Sequence, residues 1–168
     1  MRAIQIDNFF ANIFVVYNEC KKLTFYTQAE HPYNKNRLTQ TWPGKRTTEL
    51  GECNLSLKYL IIKYLLTNDL IASQDKIHIY VHARFDGDDK GEWVHQDNYR
   101  YSSLIYLSPT NLQSGTKLYS SEDHKEINDF KFIQNRYIQY DASYFHSAYG
   151  NHGTNIDNCR LTINMFAR

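Results

Sequence analysis

The pattern of the chain changes near Lys76, and this change limits the folds that are open to it. Beyond this point, short segments rich in β-branched and aromatic residues alternate with turn residues such as Asp86-Gly87 and Gly150-Asn151. Regularly spaced short strands are typical of a β-barrel or sandwich. The predicted strands cover residues 77–85, 92–97, 102–107, 116–119, 133–140, 143–149 and 160–166, and the polar residues 120–131 are predicted to form a loop.

The first 75 residues have a helical character instead. After a short edge strand at 3–6, a helix is predicted from about Phe9 to Thr27, and a second one from a cap at Asn54 or Ser56 to about Leu70. The apolar stripes that would face a sheet are Phe10, Ile13, Phe14 and Tyr17 in the first helix, and Leu57, Leu60, Ile61, Tyr64 and Leu65 in the second. The predicted class is therefore α+β, mainly β, with the N-terminal helices packed on the major sheet.

Length, charge and composition limit the kinds of function and partner that we expect for this chain. The chain has 168 residues, enough for one domain, and we expect residues 1–75 to support a β core formed by 76–168. A formal net charge of +1 gives no global attraction to nucleic acid, so a nucleic-acid partner is disfavoured. Three cysteines without a CxxC spacing favour a reducing compartment, and no apolar run is long enough for a membrane span. We therefore expect a cytoplasmic protein with no membrane partner.

The segment Trp93-Val94-His95-Gln96-Asp97 carries the strongest chemical signal. In a strand, side chains two residues apart lie on the same face, so His95 and Asp97 can point at one metal ion. His146 can supply a third ligand, because it also lies on a strand-like segment. Two histidines and one carboxylate form the facial triad of non-haem Fe(II) oxygenases. His152 is a rival ligand, whereas His78 and His82 are expected to be structural and His124 to lie on the surface.

Arg160 follows His146 by fourteen residues at the start of the last predicted strand. Its planar guanidinium can bind a carboxylate through two hydrogen bonds. Thr162, two residues on, shares its strand face and can add a hydroxyl donor. Each residue also has a structural alternative, such as an ion pair between Arg160 and Asp157 or Asp141. Lys45-Arg46, in a predicted turn region, is expected to be solvated surface.

His95-x-Asp97, His146 and Arg160-x-Thr162, in this order, resemble the pattern of Fe(II)/2-oxoglutarate-dependent dioxygenases, in particular a small stand-alone form of the prolyl-hydroxylase-like branch. The resemblance covers roughly residues 77–168 and, more loosely, the helical half. It implies a double-stranded β-helix (jelly-roll) with His95, Asp97 and His146 as metal ligands and Arg160 as a further catalytic residue. Arg160, Thr162 and Tyr106 would bind 2-oxoglutarate. The implied cofactors are Fe(II), 2-oxoglutarate and O₂, with ascorbate as a candidate reductant.

The resemblance further implies hydroxylation of a C–H bond, coupled to decarboxylation of 2-oxoglutarate to succinate and CO₂. A protein or peptide side chain is the first expectation for the primary substrate, and a free amino acid or other small metabolite is close behind it. A different class remains open, namely a cupin-like metal-binding or small-molecule-binding module without oxygenase activity. It would share the barrel and the histidines but would not need Arg160. A purely structural jelly-roll, with no metal affinity, is the third class.

Overall fold

A computed structural model describes residues 3–33, 42–88, 93–120 and 125–168 of the chain. In chain order, the elements are β1 (Ile4–Ile6), α1 (Ile13–Lys21), β2 (Lys45–Arg46), α2 (Leu50–Cys53), α3 (Leu55–Thr67), β3 (Ile77–Arg84), β4 (Tyr101–Tyr106), β5 (Asn111–Tyr119), β6 (Glu126–Phe132), β7 (Tyr137–Asp141), β8 (Phe145–Tyr149) and β9 (Arg160–Ala167). No helix in these ranges has the length and apolar character that crossing a bilayer requires.

The strands form two antiparallel sheets. The major sheet has six strands in the order β1-β7-β4-β9-β3-β2, and the minor sheet has three in the order β6-β5-β8. β1 and β2 both come from the first 75 residues and occupy the two edges of the major sheet. The predicted edge strand near the N-terminus is therefore confirmed, and the helical half of the chain also contributes to the sheet.

Apolar and polar residues alternate along the strands of the major sheet, and this gives the sheet one apolar face. The residues of β3 and β9 on this outer face are Ile77, Ile79, Val81, Ala83, Leu161, Ile163, Met165 and Ala167, and all are buried. The helices cover this face, because Ile13 and Val16 of α1 and Ile61 of α3 belong to the same apolar core. This arrangement confirms the predicted class, mainly β with N-terminal helices on the major sheet.

The opposite, inner face of the major sheet is much more polar. Cross-strand neighbours on it include the pairs Arg84 and Arg160, His82 and Thr162, and Tyr80 and Asn164. Part of this face packs against the minor sheet, where the Tyr106 ring stacks on Phe132 with centroids 4.4 Å apart. The other part faces a cavity.

The first helix is shorter than predicted. It begins at Ile13, after the cap Asn12, whose side chain accepts a hydrogen bond from the Val15 amide. Residues 9–12 are not helical because Asn135 holds the preceding chain: its side chain hydrogen-bonds the amide and the carbonyl of Phe10. Phe14 is 63% exposed, so its predicted place in the apolar stripe was wrong.

Helix α3 agrees better with the sequence. Asn54 caps it by accepting a hydrogen bond from the Leu57 amide, as one of the two predicted caps does, and Leu57, Ile61 and Leu65 are buried. The helix ends at Thr67 rather than near Leu70, and the Asn68 side chain donates to the Tyr64 carbonyl at this end.

Three strand predictions need correction. The strand predicted over 133–140 begins only at Tyr137, because residues 133–136 form the turn between β6 and β7. The described part of 92–97 is not a strand: His95 forms only an isolated bridge, with His146. Within the predicted loop at 120–131, residues 126–132 form β6, which pairs with β5, while 121–124 lie outside the described residues. This segment was predicted as a loop because it is rich in polar residues. They are polar because one face of the edge strand β6 is exposed to solvent.

We expect Ile61→Ala to lower the free energy of unfolding by ~2–5 kcal/mol, because Ile61 is fully buried between α3 and the outer face of the major sheet. Tyr59→Ala is the matched control on the exposed side of the same helix and should change it by less than about 0.5 kcal/mol. Urea unfolding of both variants measures the difference. Equal effects would mean that α3 does not pack as described.

Candidate metal centre

His95 and His146 are joined through their backbones. The His95 amide donates to the His146 carbonyl at 3.1 Å, and the His146 amide donates to the His95 carbonyl at 2.9 Å. The Asp97 amide also bonds this part of the chain, but to the Ala142 carbonyl, which is two residues out of the register set by His95 and His146. The chain around His95 therefore runs as an extension beside β8, although it forms no ladder long enough to count as a strand. This pairing brings segments fifty residues apart to one place.

The three predicted ligands converge. One ligand atom from each of His95, Asp97 and His146 lies within 4.8 Å of the other two. The His146 Nε2 atom is 3.3 Å from Asp97 Oδ2, and the His95 Nε2 atom is 3.9 Å from Asp97 Oδ1. The cluster is partly to fully buried, with His146 6% exposed.

Backbone carbonyls orient both imidazoles in the same way. The His95 Nδ1 atom lies 3.3 Å from the Trp93 carbonyl, and the His146 Nδ1 atom lies 3.1 Å from the Tyr144 carbonyl. If each Nδ1 carries the proton that donates to its carbonyl, each Nε2 is left with a lone pair directed at Asp97. Metal-binding histidines are typically held in this way.

Hydrogen bonds and charge favour the forms that bind a cation. Burial alone would raise the pKa of Asp97, but its interaction with the neighbouring His146 imidazole and the hydrogen bond from Ser102 bring this pKa below its usual value. The Ser102 hydroxyl donates to Asp97 Oδ2 at 2.6 Å. Burial, with a further contribution from the neighbouring His146, lowers the pKa of His95 to about 4. At neutral pH the carboxylate is ionised and the His95 imidazole is neutral, as metal ligation requires.

Aromatic rings enclose the cluster. The half-exposed Trp93 ring stacks on His95 with centroids 3.7 Å apart, and the Tyr140 ring lies 5.1 Å from His146. Trp93, Ser102 and Tyr140 were not among the predicted site residues. The strand alternation around Ser102 and Tyr140 could have placed both on the inner face, since they are register partners.

The donor set suits Fe(II). Two imidazole nitrogens and one carboxylate, without a thiolate, are the ligands of non-haem Fe(II) sites that leave positions open for other molecules. The same set also accepts Mn(II), Co(II), Ni(II) and Zn(II). His95, His146 and Asp97 would hold such an ion.

Arg160 lies deep between the two sheets and is 2% exposed. Its Nε atom donates to the Ser114 hydroxyl at 3.2 Å, and its Nη2 atom donates to the Gly115 carbonyl at 3.1 Å. Glycine is required at 115, because a Cβ there would collide with the Phe130 carbonyl. The guanidinium carbon also lies 5.4 Å from the centre of the Phe132 ring.

Tyr106 and Thr162 are register neighbours beside Arg160. Tyr106 is fully buried, and its hydroxyl lies within donating distance of Thr116 Oγ1 at 2.8 Å and of the Phe130 carbonyl at 3.2 Å. Arg160 Nη2 also reaches Thr116 Oγ1, at 3.4 Å. The Thr162 hydroxyl donates to Asn164. Thr116, which sequence analysis placed on a strand but not in the site, therefore connects Tyr106 to Arg160.

One cavity of about 1430 Å³ joins the metal ligands to Arg160. It is larger than the ~300–1,000 Å³ typical of a single small-molecule pocket. Its wall includes all three clustered ligands together with Thr116 and Arg160. There is room for two small molecules side by side.

The other histidines of the described ranges lie apart from the cluster. His152 places Nδ1 3.1 Å from the Gly150 carbonyl and packs its ring on Phe132. His82 is buried with Nε2 2.7 Å from the Pro43 carbonyl, and burial together with Arg84 and Arg46 keeps its pKa well below the usual value. His78 contacts Tyr99. The prediction for His124 concerns a residue outside the described ranges.

One surface prediction was wrong. Lys45 is exposed as expected, but Arg46 is partly buried on the inner face, with its guanidinium 4.2 Å from the Tyr80 ring centre and 4.9 Å from that of Trp42. The pairing of β2 with β3 places adjacent residues on opposite faces, which no local pattern in a two-residue strand reveals.

Comparisons with known proteins support the fold. No protein-family model and no curated protein matches the sequence. The structure is similar to that of a Pseudomonas putida prolyl-4-hydroxylase (TM-score 0.64, 12% identity, 99% of this chain and 91% of that one). It is also similar to HygX from Streptomyces hygroscopicus, solved with nickel, 2-oxoglutarate and hygromycin B (TM-score 0.67, 11% identity, 98% and 82%).

A third similar structure is a Trichoplax adhaerens prolyl hydroxylase in complex with a hypoxia inducible factor peptide fragment (TM-score 0.59, 16% identity, 98% of this chain and 82% of that one). At such identities the likeness establishes the fold, which is the double-stranded β-helix of 2-oxoglutarate–Fe(II) oxygenases. The double-stranded β-helix that the resemblance implied is confirmed at this level.

We expect Asp97→Ala to weaken Mn(II) binding by more than ~100-fold, because it removes the only carboxylate of the cluster. His152→Ala, which removes the rival histidine, should leave the affinity unchanged. Isothermal titration calorimetry on both variants makes the comparison. A loss of affinity in the His152 variant and not in the Asp97 variant would place the metal elsewhere.

Ser102→Ala should lower Mn(II) affinity by ~10–100-fold, because the hydroxyl that fixes Asp97 Oδ2 is removed while the three ligands stay in place. Ser103→Ala is the matched control, since Ser103 is similarly buried but points to the outer face of the sheet. The same titration serves for both. Unchanged affinity in the Ser102 variant would show that Asp97 needs no such support.

Proposed function

We propose that this protein is an Fe(II)- and 2-oxoglutarate-dependent dioxygenase that hydroxylates a C–H bond. The observation that supports this most directly is the shared cavity, which has the His95, Asp97 and His146 cluster on its wall together with the guanidinium of Arg160. A metal-binding module would need the first group only. We propose further that residues 1–168 act as one oxygenase domain, with 1–75 supporting the 76–168 core.

His95 and His146 would bind Fe(II) through Nε2, and Asp97 through its carboxylate. When bound, the iron supplies the oxidation of a C–H bond by O₂, coupled to conversion of 2-oxoglutarate to succinate and CO₂, with ascorbate as a candidate reductant. The protein's part is to keep Asp97 ionised through Ser102 and His146 and to hold the imidazoles by their Nδ1 contacts. The Trp93 ring shields one face of His95 from water.

Arg160 would bind the distal carboxylate of 2-oxoglutarate. Its position between the sheets excludes water, so a charge-assisted hydrogen bond there is stronger than at the surface. Tyr106 and Thr162 remain proposed contributors. Because the Tyr106 hydroxyl is directed at Thr116, we propose that it positions the Thr116 hydroxyl, which lines the cavity beside Arg160.

For the primary substrate, we propose a protein or peptide side chain or a free amino acid. The similar structures with bound molecules include both a peptide complex and a complex with the small molecule hygromycin B, so the fold accommodates either kind. A nucleic-acid substrate stays disfavoured by the balanced charge.

We propose that the protein is located in the cytoplasm. Its three free cysteines, two of them buried, are in keeping with a reducing compartment.

Anaerobic titration of the Fe(II) protein with 2-oxoglutarate tests the proposal. We expect the weak visible charge-transfer band of a chelated 2-oxo acid, and we expect Arg160→Ala to raise the dissociation constant by ~10–100-fold, as the loss of a charge-assisted hydrogen bond predicts. Arg100→Ala, at an arginine whose side chain is 61% exposed, is the matched control. Retained Mn(II) affinity in the Arg160 variant would verify that its fold is intact.

The absence of the band in the wild-type protein at saturating Fe(II) would contradict the oxygenase assignment and favour the cupin-like binding module. If the band forms, candidate peptides and metabolites can be screened by mass spectrometry. The product should gain the mass of one oxygen atom only when 2-oxoglutarate is added.

A further inference from the structure

The inner face of the major sheet carries a second arginine site on the cavity wall, separate from Arg160. Arg46 of β2 lies there among aromatic rings: its guanidinium carbon is 4.2 Å from the Tyr80 centroid, 4.9 Å from Trp42 and 5.9 Å from Phe166. Burial lowers the pKa of Arg46, while the nearby charges of Tyr80, Tyr99 and Asp97 act in the opposite direction. An arginine nevertheless stays protonated at neutral pH.

Within the described ranges, the Arg46 guanidinium makes cation–π contacts but no ion pair and no hydrogen bond. Cation–π contacts and hydrogen bonds use different parts of a guanidinium group. Rings cover the flat faces of a guanidinium, whereas its five N–H bonds radiate from the edge in the plane. A guanidinium held between rings is therefore rigid, partly dehydrated and able to direct its N–H edge at an oxyanion.

The position of Arg46 separates it from the site proposed for 2-oxoglutarate. Arg46 is opposite His82 in the register, one step along the inner face from the pair Arg84 and Arg160. Its guanidinium leans further away from that pair, toward Tyr80 and Phe166. Phe166 is itself the register partner of Ser102, whose hydroxyl holds Asp97. Arg46 thus points toward the metal-ligand end of the cavity.

We infer that Arg46 binds an oxyanion on the primary substrate, so that the substrate is an acid carrying a carboxylate or phosphate group. This rests on the proposed function, since it treats Arg160 as the partner of the co-substrate. With its oxyanion at the Arg46 edge, the substrate would extend along the inner face toward His95, Asp97 and His146. The cavity volume of about 1430 Å³ leaves space for it beside 2-oxoglutarate.

The test uses the two tryptophans of the chain as reporters. Trp42 contacts Arg46 and Trp93 contacts His95, so their indole N–H signals in ¹⁵N-labelled protein report separately on the Arg46 site and on the metal-ligand cluster. N-acetylglycine and N-acetylglycinamide form a matched acid and amide pair, and inorganic phosphate is the second anion. Titrations are made on metal-free protein and on protein saturated with Zn(II) and 2-oxoglutarate.

We expect the acid and phosphate to shift the Trp42 signal saturably, with the acid preferred over the amide by at least ~10-fold, as one charge-assisted hydrogen bond implies. In Arg46→Met the preference should disappear. Lys45→Met is the matched control, because Lys45 is the adjacent basic residue on the opposite face of β2, and it should keep the preference. Arg46→Lys, which keeps the charge but not the fork, should weaken it and remains informative if the Met variant does not fold.

An equal preference for the acid in the wild type and in Arg46→Met would overturn the inference, as would the absence of any Trp42 shift with both anions. Failure of the proposed function looks different: 2-oxoglutarate would then produce no charge-transfer band, while the anions would still shift Trp42 in metal-free protein. A peptide containing one Glu, compared with its Gln counterpart, distinguishes an acidic polypeptide from a free acid as the source of the oxyanion, and either result supports the assignment.

Discussion

The site depends on one short stretch of backbone pairing, the two hydrogen bonds between His95 and His146. Without it, the segment that carries His95 and Asp97 has no ladder to hold it, because the described residues before and after it belong to no strand until Tyr101. The bridge fixes both imidazoles at once, since the carbonyls that orient their Nδ1 atoms belong to the same paired segments. In this arrangement, only the backbone of residues 95–97 has to be held beside strand β8 for the three side chains to converge.

The period-2 alternation of β3 and β9 explains why a polar cavity and an apolar core can share one sheet. Eight apolar residues on the outer face anchor the sheet to the helices. This burial permits the inner face to hold Arg46, Arg84 and Arg160, with His82 kept neutral between them. Charges at such a low-dielectric wall focus a positive potential into the cavity, and anions are attracted to it. Asp97 supplies the negative charge of the metal-ligand cluster on the wall of the same cavity.

Much of this could be predicted because the relevant signals are local. Strand periodicity predicted that His95 and Asp97 share a face and that Arg160 and Thr162 share a face, and it located the major strands. Helical periodicity located α3. Features that depend on contacts between distant parts of the chain could not be predicted from the sequence. Asn135 shortens α1 from 125 residues away, and β6 was missed because its exposed face is polar. The i,i+2 geometry of His95 and Asp97 was predicted for the wrong reason, since an isolated bridge supplies it instead of a strand.

Arg46 shows most clearly which positions cannot be predicted from local sequence patterns. A basic pair in a region with turn residues is usually solvated, and for Lys45 this holds. Because β2 is only two residues long, its pairing with His82 and Ala83 alone decides which of the two side chains enters the cavity. The aromatic residues that receive Arg46 come from β3, β9 and the chain before β2, so no window of sequence contains them together. The lining of this part of the cavity therefore depends on the pairing of a two-residue edge strand, which can change while the three residues of the metal-ligand cluster stay the same.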